Sequence, residues 1–260
     1  MFESVIKEYQ KLEPPGRVSW SPLKLESEFW HRFRIYQSLR SCLLGVAGEV
    51  SEMRFLDVGC GTGMSTRLLV ELCARPEFIT GVDLRDHAIE SARELSPKIS
   101  YVTIRTPKDL EVLKGFDFCM QCVVFSSIQD RAERLWLAQR MIASVKSDGH
   151  IFWWDKIKSL SFAGRDCLDP CDYFSSCKLL YRADVSTRPT IAECVHLPSR
   201  LLKKSFCGGK TREFPKKFEG HFSNTPLFQK PARWLTPIFA VLQRALGHPK
   251  THRVALFRVS

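Results

Sequence analysis

The sequence predicts an α/β fold, a mainly parallel sheet with helices on both faces. Three observations predict it. Phe55-Leu56-Asp57-Val58 is a short apolar run that breaks into glycines at 59, 61 and 63, followed by Leu68, Leu69 and Leu72 at helical spacing. That is the strand, turn and helix that begin a βαβ unit. Phe78 to Asp83 reads as a second strand ending in an acid. From there to Asp155, apolar runs and amphipathic stretches alternate, the pattern of a parallel sheet wound by right-handed crossovers.

Pro14-Pro15-Gly16 breaks any helix near the start. Glu26–Leu44 is predicted helical, because Phe29, Phe33, Tyr36, Leu39 and Leu43 recur at three- and four-residue steps. Strands are predicted over 54–58, 78–83, 99–104, 116–122 and 149–155, and helices over 64–74, 86–95, 107–113 and 130–145. Asp130 and Glu133 have the spacing of a capping box, and Ser147-Asp148-Gly149 reads as a helix stop. Beyond Asp155 the pattern gives a helix within Asp166–Tyr181, a strand over Ile191–Leu197, a short helix over Pro198–Phe206 and a long loop over 207–230. An amphipathic core helix over Trp234–Leu246 and a closing strand over Arg253–Val259 complete it. The expected organisation is an N-terminal helical cap over 1–50, a ligand-binding core over 51–156, and a substrate-side insertion, basic loop and closing strands of the same domain over 157–260.

A chain of 260 residues that is 44% hydrophobic can bury one full core. It has no run of about 18 apolar residues, so nothing is expected to span a membrane. Its first residues lack the basic and apolar regions of a secretory signal. Ten scattered cysteines fit buried reduced thiols, hence a cytoplasmic setting. No metal is expected: Cys119 and Cys122 have zinc-like spacing, but in a strand they point to opposite faces. The charge is asymmetric. Residues 1–150 hold 20 basic and 20 acidic side chains, whereas 151–260 hold 19 and 8, the entire net charge of +11. Such an excess suits a negatively charged partner: nucleic acid, a phosphorylated glycan carrier, a nucleotide sugar or an anionic membrane surface met peripherally.

The glycine turn admits φ > 0, lets backbone approach a ligand, and leads to a helix N-terminus with free N–H groups. A dinucleotide fingerprint would place Gly or Ala where Met64 stands; here the third glycine is Gly63. Leu56–Gly63 instead resembles motif I of the class I S-adenosylmethionine-dependent methyltransferases, hydrophobic-Leu-Asp-hydrophobic-Gly-x-Gly-x-Gly. The resemblance implies a Rossmann-like, seven-stranded methyltransferase sheet, here with a basic C-terminal extension. It also implies S-adenosyl-L-methionine as cofactor, held at Asp57, Val58, Gly59, Cys60, Gly61, Gly63, Asp83, Leu84, Thr106 and Gln121. Asp57 would meet the ammonium and Asp83 the ribose hydroxyls. Arg105-Thr106-Pro107 departs from the family, which often has an acid there. Phe125, Ser126 and Arg200 are implied on the acceptor side. Asp155, at the carboxyl end of the fifth strand, is the first candidate for base or substrate anchor, with His196, His221 and His252 as alternative bases.

Phe125–Ile128, Trp154-Asp155, Leu197–Arg200 and Thr251–Leu256 also look like methyltransferases often encoded beside glycosyltransferases in bacterial surface-polysaccharide clusters. That implies O-methylation of a sugar, glycan or other small hydroxylated acceptor, phosphorylated or carrier-linked in keeping with the basic tail, at the cytoplasmic face of the membrane. Two alternatives stand beside it: an RNA methyltransferase using the basic C-terminal part, and a cofactor-binding interaction protein without catalysis.

Overall fold

The structure, a computed structural model, describes residues 26–46, 48–157, 168–187 and 250–260. Seven strands form one sheet: β1 (Phe55–Val58), β2 (Ile79–Asp83), β3 (Ser100–Thr103), β4 (Phe116–Cys122), β5 (Val145–Lys156), β6 (Lys178–Val185) and β7 (His252–Arg258). Their order is β3-β2-β1-β4-β5-β7-β6. β1 to β5 pair in parallel, and β7 runs antiparallel between β5 and β6. The strand order reverses between β1 and β4, and ligands of open α/β sheets bind outside the strand ends at such a point. The helices are α1 (Glu26–Leu44), α2 (Met64–Glu71), α3 (Asp86–Leu95), α4 (Pro107–Glu111) and α5 (Arg131–Ser144).

Successive strand residues face alternate sides, and each side has its own core. Leu56, Val82, Cys119, Ile151, Trp153 and Phe257 share one. Phe55, Ile79, Phe118, Phe152, Trp154 and Leu256 share the other. Covering on both faces explains why β1, β4 and the later half of β5 read as near-continuous apolar runs. Cys119 and Cys122 fall to opposite cores, as strand geometry requires.

The sheet corrects four expectations. The stretch read as a helix over Asp166–Tyr181 holds a short 3-10 turn, Pro170–Asp172, and the start of β6. Leu179, Leu180 and Tyr181 are 40–45% exposed on this edge strand, so no alternation marked it. The α1 stripe is rotated: Trp30, Ile35, Leu39, Cys42 and Leu43 are buried, whereas Phe29 is exposed. β5 starts at Val145, not Gly149, because Val145 already pairs with Phe116 of β4, across a register shift before Phe118 and His150. The basic excess of the last part of the chain is not all held for a partner: Arg253 of β7, its side chain 10% exposed, pairs with Asp184 at 2.6 Å and Asp169 at 3.4 Å, while Arg258 pairs at the surface with Asp148 at 3.7 Å. The elements expected over Ile191–Leu197, Pro198–Phe206, 207–230 and Trp234–Leu246, and the basic residues Arg200 to Arg244, lie outside the described residues. Among the described residues no helix is long and apolar enough to cross a membrane.

Candidate cofactor site

The site is built on the turn after β1. Gly59 and Cys60 N–H both donate to the Val82 carbonyl, at 2.8 and 2.9 Å, which ties the turn to the end of β2. Gly63 caps α2 in the left-handed region at φ 77°. A Cβ there would stand 2.5 Å from the Tyr101 hydroxyl. Gly59 has φ 71°, and a Cβ there would meet Val124 Cγ2 at 2.3 Å. Gly59→Ala therefore combines a left-handed alanine, ~1–2 kcal/mol, with a clash against a stiff β-branched side chain. We expect it to lower the melting temperature and abolish cofactor binding together, read by calorimetry and thermal unfolding.

Two cavities meet over Gly59 and Val124. One, of about 70 Å³, is apolar and includes Val58, Val82, Leu84, Ile104 and Leu137, with Asp83 at its wall. The other, of about 190 Å³, is more polar and includes His31, Cys60, Gly61, Ser65, Arg85 and Ser127. Asp83 stands between them, nearly buried. Its Oδ2 accepts from Gly61 N–H at 2.8 Å, and its Oδ1 accepts from the Arg85 backbone N–H and Nε, both at 3.0 Å. The carboxylate is thus already oriented by the turn, and it is ion-paired to Arg85, which ribose hydroxyls would have to displace.

Several expected site residues hold the cleft's shape from behind. Asp57 is fully buried; its Oδ2 accepts from Ser65 Oγ at 2.9 Å and Thr66 Oγ1 at 2.6 Å. Its Oδ1 is buried with no hydrogen-bond partner among the described residues, and burial pushes the carboxyl up to about 7. Gln121 does not reach either cavity wall: Nε2 donates to the Trp154 carbonyl at 3.2 Å and Oε1 accepts from Val124 N–H at 2.9 Å. It braces the β4 turn. Asp155 is corrected in the same way. Its Oδ2 accepts from the N–H groups of Phe125 and Ser126, at 2.8 and 3.3 Å, and its Oδ1 from that of Lys156 at 2.7 Å. Fully buried, it anchors the 3-10 turn Phe125–Ser127 instead of facing the cleft as a base. Burial raises its carboxyl to about 6. Phe125 packs in the core against Trp153, Tyr173 and Phe174, and Ser126 is buried beside it, so neither presents its side chain to an acceptor. Thr106 is exposed and caps α4, its N–H donating to Asp109 Oδ2 at 2.7 Å, and it is not among the residues that line either cavity. Arg200, His196 and His221 lie outside the described residues.

The residue that sequence reasoning missed is His31. The rotation of α1 puts it one turn before Ile35, and both line the polar cavity. Its ring meets that of His252 at 4.9 Å and that of Trp154 at 6.1 Å. Burial, then the nearby Lys156, lowers its pKa to about 4; His252 falls to about 3 through burial, His31 and Lys156. A signal existed: His31, Ile35 and Leu39 follow one another at four-residue steps.

The residues fit an adenosyl amino acid. There is an apolar slot with a carboxylate at its mouth, a glycine cradle that a Cβ would fill, and an orphaned carboxylate oxygen under the turn. Residues 55–149 match a family described as "Methyltransferase domain". This stretch is a class I methyltransferase domain. Its cofactor is S-adenosyl-L-methionine. A curated relative, an S-adenosyl-L-methionine-dependent Diels-Alderase (iccD) of Talaromyces variabilis, is 35% identical over 92 residues, 34% of this chain. The match spans only 29% of that relative. Among solved structures, the N-methyltransferase NodS of Bradyrhizobium japonicum WM9, in complex with S-adenosyl-L-homocysteine, has a TM-score of 0.54 at 16% identity, covering 99% of this chain and 97% of that one. Magnesium protoporphyrin IX methyltransferase (ChlM) of Synechocystis PCC 6803 has a TM-score of 0.51 at 15% identity, covering 72% and 90%. Identities this low establish the fold. The methyltransferase domain ends before Trp154, Asp155 and His252 and begins after His31, so the acceptor side lies outside the matched stretch.

Proposed function

We propose that the protein is an S-adenosyl-L-methionine-dependent methyltransferase that O-methylates a small hydroxylated acceptor, with a sugar or glycan as the class. One observation carries the reading: an apolar slot, the Asp83 carboxylate and the glycine turn open in sequence onto a polar chamber at the strand switch point. In this reading Leu84 and Ile104 hold the base, Asp83 grips the ribose, and Gly59 and Gly61 admit the amino-acid tail toward Asp57. When bound, the cofactor supplies an activated methyl group on a sulfonium; the chain supplies alignment and a path for the acceptor's proton. The 19 basic against 8 acidic residues of 151–260 support a phosphorylated or carrier-linked acceptor at a cytoplasmic membrane face.

The test is incubation with methyl-labelled cofactor and a panel of glycosides, free and phosphorylated. The expected result is labelled methyl ether and S-adenosylhomocysteine in equal amounts. A second reading, use of the bound cofactor without methyl transfer, is favoured by the Diels-Alderase name of the Talaromyces relative. Tight cofactor binding with no S-adenosylhomocysteine formed across the panel selects it.

A further inference from the structure

The polar chamber has a wall that the cofactor does not account for. His31 lines it, half-buried, facing Gly59, Cys60, Gly61 and Ser127. Behind His31 stands His252, only 6% exposed, its ring stacked on Trp154 at 5.6 Å. His252 Nδ1 lies 2.9 Å from Thr251 Oγ1, which lies 3.3 Å from Thr187 Oγ1. His252 Nε2 is buried with no hydrogen-bond partner among the described residues. Trp154, fully buried at the end of β5, borders both imidazoles and fixes the pair relative to the sheet.

We propose that His31 is the catalytic base of this site, receiving the proton that a hydroxyl acceptor sheds as it is methylated, and that His252 is the positioning residue behind it. The inference rests on the methyltransferase reading above. The acceptor oxygen forms the new C–O bond, the S–CH₃ bond breaks with its electron pair left on sulfur, and the O–H proton passes to His31 and on to solvent. Charge and atoms balance: a sulfonium and an alcohol become a thioether, a methyl ether and one proton.

The surroundings select the acceptor class. The charged groups near the pair are Lys156 of β5 and, across the chamber, Arg85; Cys60 and Cys122 are the titratable groups on the walls. With Lys156 near and both rings shielded by the packing around them, both imidazoles stay neutral beside a cationic sulfonium. Such a weak base cannot strip an alkylammonium, whose pKa is ~10. It can take the proton of an oxonium, which becomes strongly acidic once the C–O bond has formed. The pair therefore suits a hydroxyl nucleophile, whose proton becomes strongly acidic as the C–O bond forms.

The probe is sinefungin, a cofactor analogue with an amine where the methyl stands, against S-adenosylhomocysteine, which has nothing there. Calorimetry at pH 7.5 should show the wild type preferring sinefungin by about tenfold, since an ammonium–imidazole hydrogen bond contributes ~1.5 kcal/mol or more. His31→Ala should abolish the preference while S-adenosylhomocysteine affinity stays within about threefold; His31→Gln, which keeps an acceptor, should restore part of it. Histidine side-chain NMR of the wild type, independent of any variant's folding, should show the His31 ring resonances move with sinefungin. An unmoved His31 ring, or an equal preference in the wild type and His31→Ala, overturns the inference. Failure of the wild type to bind S-adenosylhomocysteine at all overturns instead the methyltransferase reading on which it rests.

Discussion

Asp83→Ala is expected to weaken S-adenosyl-L-methionine and S-adenosylhomocysteine binding by about 10²–10³-fold. Two hydrogen bonds from ribose hydroxyls to a carboxylate contribute ~1.5–3 kcal/mol each, and each ~1.4 kcal/mol is a factor of ten in affinity. The carboxylate is well placed for them, since Gly61 N–H and the Arg85 backbone N–H already fix its plane. The variant also leaves the Gly61 N–H without its acceptor, so the turn itself loosens. Arg85 makes the prediction sharper. Its guanidinium occupies Asp83 in the ligand-free protein, with both side chains largely buried. Removing one partner of such a pair destabilises the ligand-free state more than the liganded one, in which ribose replaces it. Arg85→Met should therefore lower the melting temperature without ligand and raise the shift that S-adenosylhomocysteine produces, with binding unchanged or tighter. Calorimetry separates the two variants: Asp83→Ala loses affinity and Arg85→Met does not. Equal affinity in the wild type and Asp83→Ala removes the nucleoside from this cleft.

That asymmetry follows what the sequence could reveal. The cofactor half was legible because its determinants are local. Gly59 and Gly63 are fixed by backbone conformation and close approach, and Asp83 by its place at the end of a buried strand. β1, β2 and β4 and the later half of β5 were legible because both their faces are covered. β6 was not, because an exposed edge strand has neither continuous nor alternating apolar residues. Topology correctly put Gln121 and Asp155 at strand ends beside the cleft. Whether each turns outward to a ligand or inward to the Val124–Ser126 backbone depends on the loop's path, and here both turn inward. His31 lies far from motif I in sequence, and only the rotation of α1 about its axis brings it to the same chamber.

Asp57→Asn is expected to stabilise the protein at pH 8 by about 2–3 kcal/mol more than at pH 5, measured by urea unfolding at both. The sign is the reverse of the usual carboxylate. Burial raises the folded pKa from 3.8 to about 7, against only two hydroxyl donors. Between those values the folded chain holds a proton that the unfolded chain has lost, so stability falls as pH rises through the window and levels off above about 7. The difference between pH 5 and the plateau, near two pKa units, sets the size. Asp155, at about 6, acts in the same direction. His31 and His252 act in the opposite one: unfolded imidazoles bind protons below 6.5 that the folded pair, at about 4 and 3, does not, so their contribution is lost as pH falls. The wild type should be nearly flat from about pH 4.5 to 6.5 through this opposition, and Asp57→Asn should tilt it toward higher pH. A difference that stays constant with pH would mean that Asp57 is already ionised in the ligand-free fold. A neutral Asp57 has a functional consequence too. In the proposed cofactor complex it would have to ionise to meet the ammonium of the amino-acid tail, so on that reading binding below pH 7 should release a proton, seen as an enthalpy that changes with the buffer's ionisation heat and disappears in Asp57→Asn.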